Sequence, residues 1–298
     1  MSRSRAGIAL LVAGAHKAGT TALYRWLCEH PALAGHAQPE LAFFVDDAEF
    51  ARGDDAYRRY GPPDGVRDRR PFVAKHVKLM YAPAAAERLC AHSPEARVVV
   101  LLRHPVERAH SAYWHARARG RETLASFEAA LDAEERRLAD GMAPWHDTAY
   151  VRNGLYMEAL ERLEQVFPRE RLRVFLDQDL AARPRELCAT LFADLGVDPG
   201  FAPAVERTHN RGRAARSPGL ARALEGLRSR RAGLGRLRAF VPQAVRWRVA
   251  ERLHAWNALP LERPPLAPAT RARLLERFAP GNAALARHLD RDLSAWER

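Results

Sequence analysis

The sequence predicts an α/β fold: a P-loop-like, doubly wound parallel sheet flanked by helices, with a helical C-terminal insert. The first observation is the apolar run 8–13, which a glycine-bounded loop joins to a helix-like stretch at 22–27. The second is the β-branched run 96–102, which is apolar on both faces and leads into a helical pattern over 106–119. Strands buried in a parallel sheet have this composition, because helices cover both faces.

Shorter segments continue the alternation of strands and helices. A short strand is predicted at 72–75, and a further strand at 172–176 precedes a helix over 184–195. Amphipathic periodicity predicts two more helices, over 123–139 and 148–167. This order of elements is typical of a parallel sheet whose strands are connected by helices.

The composition changes near residue 207. Residues 207–266 are rich in Arg and Gly and have weak periodicity, which predicts a mobile loop and an accessory helical insert. Periodicity returns over 268–296, which we predict to be helical. We therefore expect a single domain over 1–298, with a core of about 7–200 that the C-terminal segment completes.

The composition indicates a globular protein with anionic partners. The 298 residues are 47% hydrophobic and 28% charged, which leaves ample apolar material for a core. The net charge of +12 favours a phosphorylated cofactor or an acidic substrate, although a general bias toward Arg would also produce it. No basic run interleaved with aromatics and no named nucleic-acid motif occurs, so we do not expect nucleic acid as a partner.

The cysteines and the apolar runs predict a cytoplasmic protein. Three widely spaced cysteines fit neither a disulfide framework nor a zinc site, which indicates a reducing compartment. No apolar stretch approaches the roughly 20 residues of a membrane-spanning helix. The Arg-flanked start, residues 3–13, could be a short secretory signal, but cleavage there would destroy the glycine loop that follows it.

The glycine loop, residues 14–21, is the strongest chemical signal in the chain. A strand, a loop of small residues and a helix start place main-chain N–H groups and the positive end of a helix dipole around one anion. The triphosphate-binding Walker pattern has Lys directly after its second glycine, where this chain has Thr20. Its lysine, Lys17, lies inside the loop instead. The loop therefore predicts an anion site of a different kind.

A second basic segment follows the strand 96–102. Arg103 comes directly after it, Pro105 starts a helix, and Arg108 and Ser111 are three residues apart on that helix. Because ligands of open α/β sheets bind at the carboxyl ends of the strands, Arg103 and Ser111 could bind a phosphate together. A solvated basic helix start would have the same sequence.

Together these two segments resemble the cofactor signatures of the sulfotransferases that use 3′-phosphoadenosine 5′-phosphosulfate (PAPS). The residues that carry the likeness are KAGTTAL at 17–23 and RHPVERAHSAY at 103–113. PELAFF at 39–44, GLY at 154–156 and LDQDL at 176–180 look similar to further family segments. The GTTAL form looks closer to the Golgi-type carbohydrate sulfotransferases and their bacterial relatives than to the cytosolic small-phenol enzymes.

The resemblance implies a sulfuryl transfer from PAPS to an acceptor oxygen or amine, with adenosine 3′,5′-bisphosphate as product and no metal. The first loop would hold the 5′-phosphosulfate, and Arg103 with Ser111 would hold the 3′-phosphate. A late basic loop would cover that phosphate. The cofactor residues so implied are His16, Lys17, Ala18, Gly19, Thr20, Thr21, Arg103, Ser111, Arg211, Gly212 and Arg213.

The resemblance also implies catalytic roles. Lys17 would stabilise negative charge on the departing bisphosphate, and Glu40 would be the general base. Many relatives have Lys-Glu-x-His-Phe-Phe at this place, whereas Pro39 and Ala42 replace the Lys and the His here, so Glu40 lacks two usual neighbours. Lys75 would support the sulfonate or the acceptor. His76 is an alternative base.

Two other functions stay open at the level of sequence. One is a nucleotide or small-molecule kinase, which the position of Lys17 disfavours. The other is a non-catalytic protein that binds a nucleotide or polyanion, for which the substitutions around Glu40 would be loss of function. For a sulfotransferase, the expected acceptor is a carbohydrate or glycosylated metabolite, which the sequence does not identify further.

Overall fold

The structure is a computed structural model of the chain. It describes residues 7–36, 40–61, 70–143, 146–205, 212–228, 249, 252–253, 255–261 and 263–298. The chain divides into two compact units. The first unit comprises Met1–His104, Leu155–Thr208 and Pro280–Trp296, and the second comprises Pro105–Gly154, His209–Ala279 and Glu297–Arg298.

The first unit is built on a five-stranded parallel sheet, which confirms the predicted fold class. Its strands are β1 (Ile8–Gly14), β2 (Ala34–Gly35), β3 (Phe72–Lys75), β4 (Arg97–Leu102) and β5 (Leu172–Leu176). The strand order is β2-β3-β1-β4-β5, with every pairing parallel. The chain crosses from one side of β1 to the other between β3 and β4. Open α/β sheets bind ligands beside such a switch point, at the carboxyl ends of the strands.

Helices connect these strands. The centre of the sheet is apolar: Leu10 and Leu11 on β1 and Val98 to Leu102 on β4 are completely buried. Burial of both faces explains why these runs lack polar alternation. The helices of this unit are α1 (Thr20–Glu29), α2 (Asp47–Phe50), α3 (Asp54–Tyr57), α4 (Ala85–His92), α7 (Tyr156–Glu164), α8 (Asp177–Ala182) and α9 (Pro184–Asp194).

The second unit is mainly helical. It contains α5 (Pro105–Ala118), α6 (Phe127–Ala139), α10 (Pro218–Arg228) and the first half of the C-terminal helix, Pro268–Leu289. It also contains two antiparallel strands, β6 (Gly212–Ala215) and β7 (Ala258–Leu261). These strands were not expected inside the predicted helical insert. The mobile loop predicted after residue 207 and much of that insert lie outside the described residues, at 206–211 and 229–248.

The helix predicted over 148–167 is shorter in the structure. Its first turn is replaced by a 3₁₀ turn, Arg152–Gly154, and α7 starts only at Tyr156. The carboxylate of Glu134 accepts hydrogen bonds from the main-chain N–H groups of Val151 (2.8 Å) and Arg152 (2.9 Å). A carboxylate on another helix therefore satisfies the donors of a tight turn, which local periodicity cannot reveal. None of the helices in the described part of the chain is long and apolar enough to cross a membrane.

A buried carboxylate stabilises the second unit. Glu122 accepts two hydrogen bonds from Arg137 (2.7 and 2.9 Å), one from the Tyr150 hydroxyl (2.8 Å) and one from the Leu124 N–H (2.9 Å). Burial opposes ionisation, but the bonds from Arg137, Leu124 and Tyr150 outweigh it and hold the pKa of Glu122 below its ordinary value. The charged form is therefore the one that the fold stabilises.

We expect Glu122→Gln to lower the free energy of unfolding by on the order of 3 kcal/mol at neutral pH, because Arg137 loses its anionic partner. A depressed pKa adds stability above the carboxyl's unfolded pKa, and that stability is lost as the pH falls through the folded pKa. The parent protein should therefore lose more stability on acidification than the variant. Urea unfolding at neutral and acidic pH measures both effects, and the exposed Glu135→Gln is the control. Equal effects of the two substitutions would refute this role of Glu122.

Candidate active site

The loop after β1 leads into α1 through two left-handed residues. Gly14 ends the strand, and α1 begins at Thr20. The backbone φ is 74° at Lys17 and 93° at Gly19. A Cβ atom at Gly19 would lie 2.7 Å from Cδ2 of Leu180, so both the conformation and the available space require glycine there.

The start of α1 presents donors suited to an anion. The N–H of Ala22 donates to the Gly19 carbonyl (2.9 Å), which is the first hydrogen bond of α1. Before it in sequence come the main-chain N–H groups of Gly19, Thr20 and Thr21. These three groups therefore lie ahead of the hydrogen bonding of the helix, at the positive end of its dipole. The Thr21 side chain is exposed. The remaining predicted cofactor residues of this loop are His16 and Lys17, both half-buried, and Ala18, which is buried.

Arg103, which follows β4, is held against the same loop. Its Nη1 donates to the main-chain carbonyl of Lys17 (3.3 Å), and its Nε lies 3.5 Å from the Asp177 carboxylate. The Tyr156 hydroxyl donates to the Arg103 carbonyl (2.7 Å) and fixes the main chain there. The first unit thus brings the guanidinium of Arg103 to the loop that carries Lys17.

Glu40 and Lys75 form an ion pair beside this loop. The Lys75 ammonium donates to Oε1 of Glu40 in a short contact and lies 3.4 Å from Oγ1 of Thr21. The main-chain N–H of Val77 donates to Oε2 of Glu40 (3.1 Å). The Lys75 side chain is only 4% exposed, whereas 28% of the Glu40 side chain is open to solvent. Of the two, Glu40 is the one that a substrate can reach.

The surroundings of Glu40 raise its pKa. Burial raises the pKa of the carboxyl above its ordinary value, although the charge and hydrogen bond of Lys75, the Val77 N–H and the charge of Lys78 act in the opposite direction. A carboxylate with a raised pKa is a stronger base than one in free solution. This is the property that a general base requires.

His76 lies next to this pair in sequence but is a weak base. Burial, together with the charges of Lys78 and Lys75, lowers the pKa of its imidazole to about 3. Its Nδ1 accepts a hydrogen bond from the main-chain N–H of Lys78 (3.3 Å). The imidazole is therefore neutral at physiological pH, and its proton affinity is lower than that of Glu40.

Sequence reasoning missed Lys78, whose charge acts on both Glu40 and His76. A compositional signal could have found it. Only three of the 48 basic residues in the chain are lysines: Lys17, Lys75 and Lys78. Each of the three lies in the anion loop or beside Glu40, although arginine is used almost everywhere else.

In the second unit, Ser111 is buried on α5 and has an arginine partner. Nη1 of Arg263 donates to its hydroxyl (3.1 Å). Arg108, three residues before Ser111, is completely buried and donates instead to the main-chain carbonyl of Tyr150. Sequence reasoning missed Arg263, because 152 residues separate it from Ser111 and no motif surrounds it.

The predicted basic loop is described only in part. Arg211 lies outside the described residues, whereas Gly212 and Arg213 form the first half of β6. Main-chain pairing places Gly212 opposite Leu261 and Arg213 opposite Pro260. This part of the predicted loop is therefore a strand that pairs with the segment just before Arg263.

The fold and the first unit's loop define a P-loop-like α/β protein. No family model matches the chain. The chain is 28% identical over 200 residues to the bifunctional heparan sulfate N-deacetylase/N-sulfotransferase 3 of Mus musculus. The aligned region covers 64% of this chain and 22% of that protein. The corresponding enzyme of Drosophila melanogaster is 27% identical over 214 residues, or 63% of this chain and 20% of the relative. The chain thus spans about a fifth of the length of these curated relatives.

A solved structure matches over the whole chain. The crystal structure of a sulfotransferase from Alicyclobacillus acidocaldarius superposes with a TM-score of 0.68 at 27% sequence identity, and the match covers 99% of this chain and 100% of the other. The similarities in sequence and in structure support a relationship of the chain to the PAPS-dependent sulfotransferase family. Enzymes of this family generally take their sulfuryl group from PAPS.

Proposed function

We propose that the chain transfers a sulfuryl group from PAPS to a hydroxyl or amine of an acceptor by in-line displacement. The observation that carries the proposal is the arrangement in the first unit, where the Lys75 ammonium lies between the Glu40 carboxylate and the Thr21 hydroxyl at the start of α1. Through Lys75, the candidate base Glu40 is thus linked to the candidate anion cradle at the start of α1. This arrangement suits a reaction in which a proton leaves the acceptor while an anion departs.

The loop residues fit an anionic cofactor. Gly19 leaves no side chain at the start of α1, and the N–H groups of Gly19, Thr20 and Thr21 lie in the first turn of that helix, where its dipole is positive. PAPS, when bound, supplies an activated sulfuryl group and a bisphosphate leaving group. In our proposal Lys17 neutralises the charge that develops on the leaving group. Arg103 holds the Lys17 main chain in place through its carbonyl.

Glu40 is the proposed base. Its exposed fraction lets an acceptor approach, and its raised pKa strengthens it as a proton acceptor. Lys75 orients the carboxylate through Oε1, and the Val77 N–H orients it through Oε2. In this proposal Lys75 and the Val77 N–H hold the Glu40 carboxylate in place of the Lys and His that many relatives have beside it in sequence.

In the second unit we propose that Ser111 and Arg263 contact the 3′-phosphate of the cofactor. The Arg263 guanidinium already donates to the Ser111 hydroxyl (3.1 Å), so a cation and a hydroxyl share one place. Such a pair is suited to a phosphate, which accepts hydrogen bonds from both groups. The family resemblance supports a contact between Ser111 and the 3′-phosphate. Because Arg263 contacts Ser111, we assign the same phosphate to Arg263.

We expect Arg263→Ala to raise the Kd for adenosine 3′,5′-bisphosphate on the order of tenfold, because one charge-assisted hydrogen bond is lost. The Kd for adenosine 5′-monophosphate, which has no 3′-phosphate, should change less than twofold. Calorimetric titration of both ligands measures the difference. Arg273→Ala, which removes an exposed arginine paired with Asp132, is the matched control. Equal weakening of both ligands would rule out a specific contact with the 3′-phosphate.

For the acceptor we propose a carbohydrate or glycosylated metabolite. The Mus musculus and Drosophila melanogaster relatives are bifunctional heparan sulfate N-deacetylase/N-sulfotransferases, and the net charge of +12 favours an acidic glycan. Residues 1–298 form one sulfotransferase domain in this proposal, and residues 207–266 shape the choice of acceptor. We place the reaction in the cytoplasm. Amine and hydroxyl acceptors are distinguished by assaying one glycan with its amino groups free and with them acetylated.

Two experiments test the proposed function. The first is calorimetric titration with adenosine 3′,5′-bisphosphate and with ATP plus Mg²⁺. The second measures transfer of ³⁵S from labelled PAPS to a panel of glycans. We expect binding of the bisphosphate in preference to ATP, and label in at least one glycan. Preference for ATP would indicate a kinase, whereas tight bisphosphate binding without transfer to any acceptor would indicate a non-catalytic binding protein.

A further inference from the structure

His36, which is not among the predicted site residues, contacts the main chain of Lys75. β2 is only two residues long and pairs with β3 through Ala34 and Gly35. The strand thus ends before it can offer a carbonyl to Lys75, the last residue of β3. The imidazole of His36, the next residue, accepts the Lys75 N–H through Nε2 (3.1 Å). A side chain thereby replaces the missing strand partner of a buried main-chain donor.

The His36 ring is itself firmly held. The Tyr24 hydroxyl accepts a hydrogen bond from the His36 N–H (2.8 Å) and lies 3.3 Å from the His36 carbonyl, to which it donates. The two rings stack, with centroids 4.6 Å apart and an interplanar angle of 23°. Tyr24 belongs to α1, the helix whose start forms the proposed anion cradle. His36 is buried, at 7% exposed, and Tyr24 is half-buried.

We propose that His36 is a positioning residue for the reaction, an inference that rests on the proposed function of Glu40 and Lys75. Its Nε2 must be unprotonated to accept the Lys75 N–H, and this bond fixes the point on the main chain from which the ammonium reaches Glu40 and Thr21. The Lys75 carbonyl is fixed in turn by the Leu41 N–H (2.8 Å), directly after Glu40. The chain α1, Tyr24, His36, Lys75 and Glu40 therefore ties the base to the helix of the anion cradle.

The two possible roles of His36 depend on different parts of the imidazole. A positioning role needs the acceptor nitrogen Nε2, whereas a packing role needs the ring. His36→Phe keeps a ring that can stack on Tyr24 but removes the acceptor. His36→Gln removes the ring but keeps an acceptor oxygen at a reach similar to that of Nε2. If the hydrogen bond to Lys75 is what matters, the Phe variant should be impaired and the Gln variant should not. If packing matters, the order should be reversed.

We expect His36→Phe to lower kcat between about 10-fold and 100-fold, because a small displacement of a reacting group has effects of this size. His36→Gln should stay within about threefold of the parent. The Kd for adenosine 3′,5′-bisphosphate should stay within twofold for both. Deuterium exchange in the peptide that covers residues 72–78 should speed up in the Phe variant only. His36→Leu provides a second acceptor-free variant should His36→Phe fail to fold.

His30→Leu is the control for general destabilisation. His30 is also buried, its Nδ1 accepts the Ala32 N–H (3.1 Å) and its Nε2 lies 3.2 Å from the Asp198 carbonyl, yet none of its contacts leads to Lys75. His30→Leu should lower the melting temperature and leave kcat unchanged. Normal kcat in His36→Phe, or equal loss in the Phe and Gln variants, would overturn the role of His36 while transfer by the parent stands. Absence of transfer by the parent protein would overturn the proposed function, and the role of His36 with it.

Discussion

Replacing Lys17 with alanine is expected to abolish sulfate transfer in practice, with a loss of at least about 10²-fold to 10³-fold in kcat. Removal of one preorganised group that stabilises transition-state charge has effects of this size, about 3–4 kcal/mol. Lys17 lies in a left-handed turn between β1 and α1, next to the N–H groups that start the helix. Its ammonium is the group we propose to meet the charge that develops on the departing bisphosphate. Single-turnover transfer of ³⁵S measures the loss.

A second charge variant separates this role from a general loss of positive potential. Arg25→Ala removes one cation from the exposed side of α1 and should keep kcat within about twofold. Both variants should keep the parent's melting temperature within a few degrees, because neither side chain is in the core. Near-normal turnover by Lys17→Ala would show that the loop does not act on the leaving group. Equal losses in the two variants would show that only the summed charge matters.

The central sheet was predictable because its strands carry their own signal. β1 and β4 are uninterrupted apolar runs, and their burial on both faces removes any need for polar alternation. The glycine loop was equally visible, since its shape depends on small residues close together in sequence. Such features need no partner from elsewhere in the chain to be recognised.

Elements that depend on distant partners were not predictable. The turn at Arg152–Gly154 depends on the carboxylate of Glu134, which belongs to a different helix. β2 has two residues and no periodicity of its own, because its partner β3 and the stack of His36 on Tyr24 define it. β6 pairs with β7 across a long intervening segment. In each case the stabilising contact joins residues that no local pattern connects.

The candidate site shows the same division. Motif reasoning named Glu40 but left it without neighbours, because Pro39 and Ala42 replace the residues expected beside it. The structure supplies partners from β3 and the residues after it: the Lys75 ammonium and the Val77 N–H. The electrostatic partners of a residue can thus come from another strand, and sequence proximity alone does not identify them. Composition could have helped, since the chain's few lysines lie in this region.

Replacing Glu40 with glutamine is expected to lower kcat about 10²-fold to 10⁴-fold, the range that loss of a general acid or base produces. The amide keeps the size of the carboxylate and has one oxygen that can still accept from Lys75, but it cannot take a proton from the acceptor. The Kd for adenosine 3′,5′-bisphosphate should stay within about threefold, since Glu40 is proposed to act on the acceptor. Asp47→Asn, which removes an exposed carboxylate paired with Arg88, is the matched control and should keep the parent's rate.

The pH dependence distinguishes a base from a residue that merely binds the acceptor. Because burial raises the pKa of Glu40, the carboxylate form is lost as the pH falls through a value above the ordinary one for glutamate. The parent's kcat/KM should therefore fall tenfold per pH unit below that pKa, and this acidic limb should be missing in Glu40→Gln. A variant that is slow but keeps the acidic limb would show that another group titrates. Normal turnover in Glu40→Gln would assign proton removal to His76 or to the acceptor itself, and the low pKa of His76 makes the acceptor the stronger alternative.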